Sequence, residues 1–413
     1  MSTATIIAGH TASFDASGQL LPWDSWTAAL DREMNFYQQC PLDHGYPRFA
    51  CETFLDASWT PSTERTDIIP ATQNGMGIVS YLKFHGMRGH AATLATARLM
   101  GDYLLKETLT PDSGRYPAFT RSTGKRGQFP QAADCGSQSD RPYEIQPDKG
   151  GIAGHALMLL FEATGEPKYL SQALRNARVL AANQRDGDAG NSPWPFRVDY
   201  RSGAPRGPVS GNMVYILRLF DQLLEHGYAE FSGARQSLWR WIKDHQLPSA
   251  AADGALFAQF FEDHDTPTNR TAWAPLNLAR YLLERKERID PDWLADCGSL
   301  IEFVRANFIH QEFGVNVCHE QDEDRQAWGG VNSTYGAVLA MYAAAESSPV
   351  LAAEGRQALN FTLYSIDEQG RPRDLALSGQ PGGWQEDAHT DVIHNYVDAL
   401  SAFPQWGNSD GSF

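Results

Sequence analysis

Two kinds of apolar periodicity alternate along this chain, and both have the spacing of helices rather than strands. Segments of the first kind are rich in small residues and apolar nearly all round: TQNGMGIVSYLKFHG from residue 72, GGIAGHALMLLFEATG from 150, SGNMVYILRLFDQLLEHG from 210, TAWAPLNLARYLLER from 271, GVNSTYGAVLAMYAAAE from 330 and HTDVIHNYVDALSAF from 389. A helix without a polar face is a buried helix. Segments of the second kind start near residues 23, 90, 167, 233, 291 and 348 and carry one apolar stripe beside one polar face, as in PKYLSQALRNARVLAANQ. These predict helices with one side in water.

The buried segments recur about every 60 residues, with one longer first interval, which is the mark of an array of supersecondary units. Within a unit the link from buried to amphipathic helix is short (TGEP, ESSP), and the link back is long. Short links make antiparallel neighbours. Six such hairpins can close into a ring with buried helices over 72–86, 150–165, 211–226, 272–285, 331–346 and 389–403 inside. All long loops, and the N-termini of all six inner helices, then fall on one rim. This pattern resembles the six-hairpin (α/α)6 toroid enzymes, among them many glycoside hydrolases, several polysaccharide lyases and sugar epimerases, from about residue 22 to 403. The expected fold is all-α: a single (α/α)6 toroid domain over residues 1–413, with 1–21 an N-terminal extension. The resemblance implies a saccharide in the funnel at the long-loop rim.

Composition narrows the partner. Lys plus Arg number 34 against 50 Asp plus Glu, a net charge of −16, which repels nucleic acid and anionic membranes. Five widely spaced cysteines without a CxxC pair suggest neither a disulfide framework nor a zinc site. With no signal-peptide pattern and no apolar run of membrane length, the chain reads as cytoplasmic. STGKR lacks the first glycine of a P-loop, NGMGIVS is no dinucleotide fingerprint, and no HExxH or EF-hand pattern occurs, so neither cofactor nor metal is expected. The expected partner is a small saccharide, bound by a monomer or a homo-oligomer.

The rim loops hold the candidate chemistry. The long loop from 111 to 149 has the length of a lid and carries Tyr143, Asp148 and Lys149. In NSPWPFRVDYRSG, Trp194, Phe196 and Tyr200 alternate with Arg197 and Asp199, which predicts a short strand or hairpin. Arg197 there suits the carboxylate of an acidic sugar, or a structural pair with an aspartate. Ahead of the fourth buried helix, Asp263 and Asp265 crowd around His264, and clustered carboxylates raise one another's pKa. His319 and Glu320 follow the apolar VNVC and are candidates to point inward, whereas Asp322 to Asp324 read as solvated surface. Trp273 and Trp328 sit at starts of buried helices, as do Gln73, Asn74 and Asn212. The last buried helix opens with Asp387, His389, Asp391 and His394; His389 is read as a neutral hydrogen-bond partner or base, and His394 as structural.

The favoured function is a glycoside hydrolase on a uronic-acid-containing saccharide, with its acid and its second carboxylate among Asp148, Asp263, Asp265 and Glu320. The alternative is a lyase or sugar epimerase, in which Tyr143, His264 or His389 removes a proton while Gln73, Asn74, Arg197 and Asn212 neutralise the carboxylate.

Overall fold

In a computed structural model, the structure describes residues 5–56, 58–61, 69–123, 129, 140–261, 266–372 and 391–407. Its helices are α1 (Trp26–Gln38), α2 (Arg48–Cys51), α3 (Pro70–Arg88), α4 (Ala91–Glu107), α5 (Pro147–Thr164), α6 (Pro167–Ala182), α7 (Val214–Glu225), α8 (Ser232–Trp241), α9 (Leu247–Ala250), α10 (Trp273–Arg285), α11 (Trp293–Phe308), α12 (Gly329–Glu346), α13 (Pro349–Leu363) and a C-terminal helix Val392–Ala402. The expected helices are all there, within a few residues of their expected bounds. Strands are short and antiparallel, as in β1 (Ile6–Ile7) with β2 (His10–Thr11) and β3 (Leu42–Asp43) with β4 (Tyr46–Pro47). Among the described residues no helix is long and apolar enough to cross a membrane.

Local chemistry sets the ends. Proline at the first position opens α3, α5, α6 and α13, where a missing N–H costs nothing. Gly89 (φ 65°) and Gly165 (φ 70°) close α3 and α5 in the left-handed conformation. The helix expected over 233–246 departs from regularity. After Trp241 the chain makes a π turn, Ile242–Gln246, before α9. Pro248 has no N–H for the carbonyl four residues back, so the regular ladder cannot continue through this turn.

The chain divides into two compact units, each built from separated stretches. One holds residues 1–40, 55–60 and 275 onward; the other holds 41–54 and 61–274. In the second unit α3, α5 and α7 are buried, and glycines let them approach closely. A Cβ on Gly75 would come within 2.6 Å of Ile152, one on Gly151 within 2.9 Å of the Ile216 backbone nitrogen, and one on Gly154 within 2.5 Å of Leu219. The first unit repeats the device between α12 and α13, where a Cβ on Gly336 would lie 2.8 Å from the Gly355 carbonyl. Residues 5–21, expected as an extension, are folded onto this unit. Ile7 and Leu20 share a buried cluster with Val315, Val317, Phe361 and Tyr364, and the Leu20 and Leu21 carbonyls accept from Asn360 (2.9 Å) and Tyr364 (2.8 Å).

Gly151→Ala is expected to destabilise by about 1 to 3 kcal/mol, because the methyl meets backbone that cannot rotate away. Gly86→Ala, exposed in α3 with nothing within 4 Å of its Cβ, is expected to stabilise by about 0.5 to 1 kcal/mol. Denaturant midpoints of the two variants check both.

Candidate functional site

The first turn of α5 carries the most unusual group in the second unit. Gln146 caps the helix in extended backbone, Pro147 starts it, and Asp148 and Lys149 follow. Both charged side chains are fully buried, with Lys149 Nζ 3.5 Å from Asp148 Oδ2. Lys149 also donates to the Phe260 carbonyl at 2.5 Å and lies 3.6 Å from the centroid of the Phe260 ring. Neither Asp148 oxygen makes a hydrogen bond of normal geometry. Burial raises the Asp148 pKa from the ordinary 3.8, and the neighbouring Lys149 and Ser210 offset only part of that rise. Asp148 is a carboxyl held towards its neutral form.

A three-stranded sheet flanks this turn, β5 (Glu144–Ile145) with β6 (Arg197–Asp199) and β6 with β7 (Pro205–Arg206). The expected strand is β6. Arg197 is 1% exposed and its Nε donates to Asp140 Oδ1 at 2.5 Å; Gln146 Nε2 donates to the same oxygen at 2.7 Å. Arg206 pairs with Glu144 across the sheet. Tyr143, at the start of β5, adopts φ 71°, rare for an aromatic residue, and the Arg201 guanidinium lies 3.5 Å from its ring centroid.

The segment before α7 approaches the same place. Asp148 and the Ser210 hydroxyl are neighbours, and Gly211 is held closely: a Cβ there would lie 2.8 Å from the Ala258 carbonyl. Gln246, set inward by the π turn, donates to the Gly211 carbonyl at 2.6 Å. Next in line, Asn212 is 1% exposed, and neither its Oδ1 nor its Nδ2 has a hydrogen-bond partner. Trp273, 5% exposed at the start of α10, has its ring 6.4 Å from that of Phe260.

Three expected binding residues are committed to the fold. Gln73 donates to the Phe49 carbonyl (2.5 Å) and accepts from Thr53 (3.1 Å), and Asn74 donates to the Ala50 and Pro70 carbonyls (both 2.9 Å), which ties α2 to α3. Trp194 is fully enclosed, with Nε1 on the Leu180 carbonyl at 3.0 Å. Asp263, His264, Asp265 and His389 lie outside the described residues. Asp140, Gln146 and Ser210 were not among the expected residues; Asp140 and Gln146 precede α5 in an irregular polar loop, and Ser210 is the first residue of the third expected buried segment.

The first unit has its own polar groups. His319 follows the hairpin of β8 (Ile309–Glu312) and β9 (Val315–Cys318), and its backbone N–H donates to the Phe308 carbonyl at 2.9 Å. Its ring is 5% exposed, Nδ1 has no partner, and the His310 ring lies 5.6 Å away. Burial, then His310 and Arg325, push its pKa down to about 4, so the imidazole is neutral at pH 7. Glu320 is half-buried, as is Trp328, which donates to Asp324 at 3.0 Å. His394 is buried, with Nε2 2.5 Å from Arg280 Nη1.

No family model matches the sequence, and no curated protein matches it. Among solved structures the chain is similar to a D-mannose isomerase (12% identity, TM-score 0.69, 95% of this chain and 100% of that one). It is similar also to cellobiose 2-epimerase from Spirochaeta thermophila (15%, 0.66, 92% and 95%) and to an unsaturated glucuronyl hydrolase specific for heparin (11%, 0.57, 94% and 98%). The chain has the all-α (α/α)6 fold that these structures share.

Two outcomes are expected. Arg197→Met leaves Asp140 as a buried carboxylate without its cation and is expected to cost about 3 to 5 kcal/mol in denaturant unfolding. The His319 pKa is lowered on folding, so its contribution to stability is present above pH 6.5 and is lost as pH falls towards about 4. Unfolding free energies of His319→Gln, measured from pH 7 to pH 4, are expected to fall less than those of the wild type.

Proposed function

We propose that the chain is a carbohydrate-active enzyme, and within that class a glycoside hydrolase whose general acid is Asp148. One observation carries the reading: a carboxyl with no normal hydrogen bond, fully buried in the first turn of an inner helix and held towards its neutral form. A glycosidic oxygen leaves only when a proton reaches it as the C1–O bond breaks, and near neutral pH that requires a carboxyl of raised pKa. Once Asp148 has given up its proton, the Lys149 ammonium 3.5 Å away is a ready counter-charge for the carboxylate. The second carboxylate, which activates water or attacks carbon, is proposed to be Asp263 or Asp265. The likeness to a glucuronyl hydrolase of the same fold supports hydrolysis. A uronic acid as part of the substrate was expected because of Arg197, and that support weakens because Arg197 is bonded to Asp140.

A second reading, proton removal in an epimerase or lyase, is favoured by His319. A buried neutral imidazole with a free Nδ1 is a competent base, and two similar structures are a sugar epimerase and a sugar isomerase.

The experiment is a panel of neutral and acidic saccharides read three ways: new reducing ends for hydrolysis, ultraviolet absorbance of a new C=C bond for elimination, and solvent deuterium in recovered sugar for epimerisation. Asp148→Asn is expected to lower hydrolytic turnover by about 10²- to 10⁴-fold. Its stability at pH 7 should be unchanged or higher. The folded pKa lies above 3.8, so the contribution of Asp148 to stability is fully present below that pH and falls as pH rises through the folded value; D148N has no such loss. Wild-type hydrolysis by D148N would remove Asp148 from the chemistry.

A further inference from the structure

The buried polar atoms ahead of α5 and α7 are unequally matched. Asp140 Oδ1 accepts from both Arg197 and Gln146, while Asp140 Oδ2 accepts from no group among the described residues. Gln146 must turn its NH2 to that carboxylate, and this leaves its Oε1 without a donor. Asn212 has a bare Oδ1 and a bare Nδ2. These residues are 1%, 0% and 1% exposed, so bulk water does not reach them. Burying polar atoms unpaired is unfavourable, so several of them at one end of a unit call for a partner.

Helix packing brings them to one end of the second unit. Gly151 lies against Ile216 and Gly154 against Leu219, the same offset each time, so α5 and α7 run parallel and in register. The residues just ahead of them, Gln146 to Asp148 and Ser210 to Asn212, are therefore level, and the Asp148–Ser210 contact is one result. Asp140 Oδ2, Gln146 Oε1, Asn212 Oδ1 and both Asp148 oxygens stand bare there, against the bare NH2 of Asn212 and the Ser210 hydroxyl.

We propose that this end of the unit binds the ring of a neutral saccharide through its hydroxyl hydrogens, and that Asn212 determines the specificity. The proposal rests on the reading of Asp148 as the acid of a carbohydrate-active site. Sugar hydroxyls supply the donors that Asp140 Oδ2, Gln146 Oε1 and Asn212 Oδ1 lack, and a hydroxyl oxygen accepts from Asn212 Nδ2. The carboxylate of a uronic acid brings acceptors only, next to the bare oxygen of Asp140. The cations at this end are already engaged, Lys149 with the Phe260 carbonyl and Arg197 with Asp140. An acidic sugar therefore fits this donor balance worse than its neutral counterpart.

The test is titration calorimetry of the full chain with methyl glucoside, mannoside and galactoside, and with the methyl uronides that differ from them only at C6. At least one neutral glycoside is expected to bind about tenfold or more tightly than its uronide. Asn212→Ala is expected to weaken that binding about tenfold without lowering the Tm, since it removes a buried amide that has no partner. Asp148→Asn is expected to keep the binding and lose turnover. Uronides binding as tightly as the neutral sugars, wild-type affinity in N212A, or no binding of any neutral glycoside because ordered water alone fills the positions would each overturn the proposal. Neutral-sugar binding together with wild-type turnover in D148N would sink the acid assignment and leave this inference standing. Turnover confined to uronides, and lost in D148N, would do the reverse.

Discussion

The contact of α5 with α7 at Gly151 and Ile216 is the constraint on which the candidate site depends. With hydrogen in place of a side chain at 151, the two backbones approach until a Cβ would lie 2.9 Å from the Ile216 nitrogen. Packed that closely and in parallel, the helices can shift little along each other without meeting the next side chain. Their first turns are level for that reason, and Asp148 comes to lie beside Ser210. The irregular segment ahead of α7 then needs its own restraints, and it has them in the Gly211 carbonyl held by Gln246 and in the absence of a side chain at 211. The π turn is what aims Gln246. A deviation in an outer helix thus fixes a loop at the end of an inner one.

Within the same unit, two aspartates show why position rather than residue type decides the chemistry. Asp199 is partly exposed, accepts from Arg201 and from backbone N–H groups, and has its pKa lowered. Asp148 stands in the first turn of a helix, where the dipole favours the anion. Its pKa is nevertheless raised, because removal of water costs the carboxylate more than the helix end and Lys149 return. The rise comes from enclosure, and enclosure is set by the packing of α5.

The architecture could be read from the sequence because buried helices in a repeating array must be apolar nearly all round, a property of composition at fixed spacing. Asp148, Lys149 and Asn212 could be singled out as candidates for a related reason: polar residues at the start of an otherwise apolar helix stand out. Asp140 and Gln146 could not. Each lies in a polar loop, and its role depends on a partner distant in sequence, Arg197 for Asp140, or on a cap geometry that leaves one oxygen over. Trp194 and Gln73 are the opposite case. A tryptophan between prolines and an amide at a helix start look like binding groups, but the Leu180 and Phe49 carbonyls that occupy them belong to neighbouring elements. The division into two compact units cuts across the repeat, with Trp273 and Ala274 in one and the rest of α10 in the other.

Buried asparagines contrast polarity used within the fold with polarity left unused there. Asn395 is fully enclosed; its Oδ1 accepts from Arg280, and its Nδ2 donates to Ser333 at 2.8 Å and Thr334 at 3.0 Å. Asn332 accepts from the Cys318 N–H at 3.0 Å and donates to the Ala358 carbonyl at 2.9 Å. Each amide joins two elements and is used at both ends, as burial demands. Asn212 is enclosed to the same degree and used at neither end. For an apolar side chain of similar size the desolvation cost would vanish, so packing gives no reason for an amide at 212. The interactions we propose for it come from outside the protein, from saccharide hydroxyls, to which the surplus of acceptors at this end of the unit is suited.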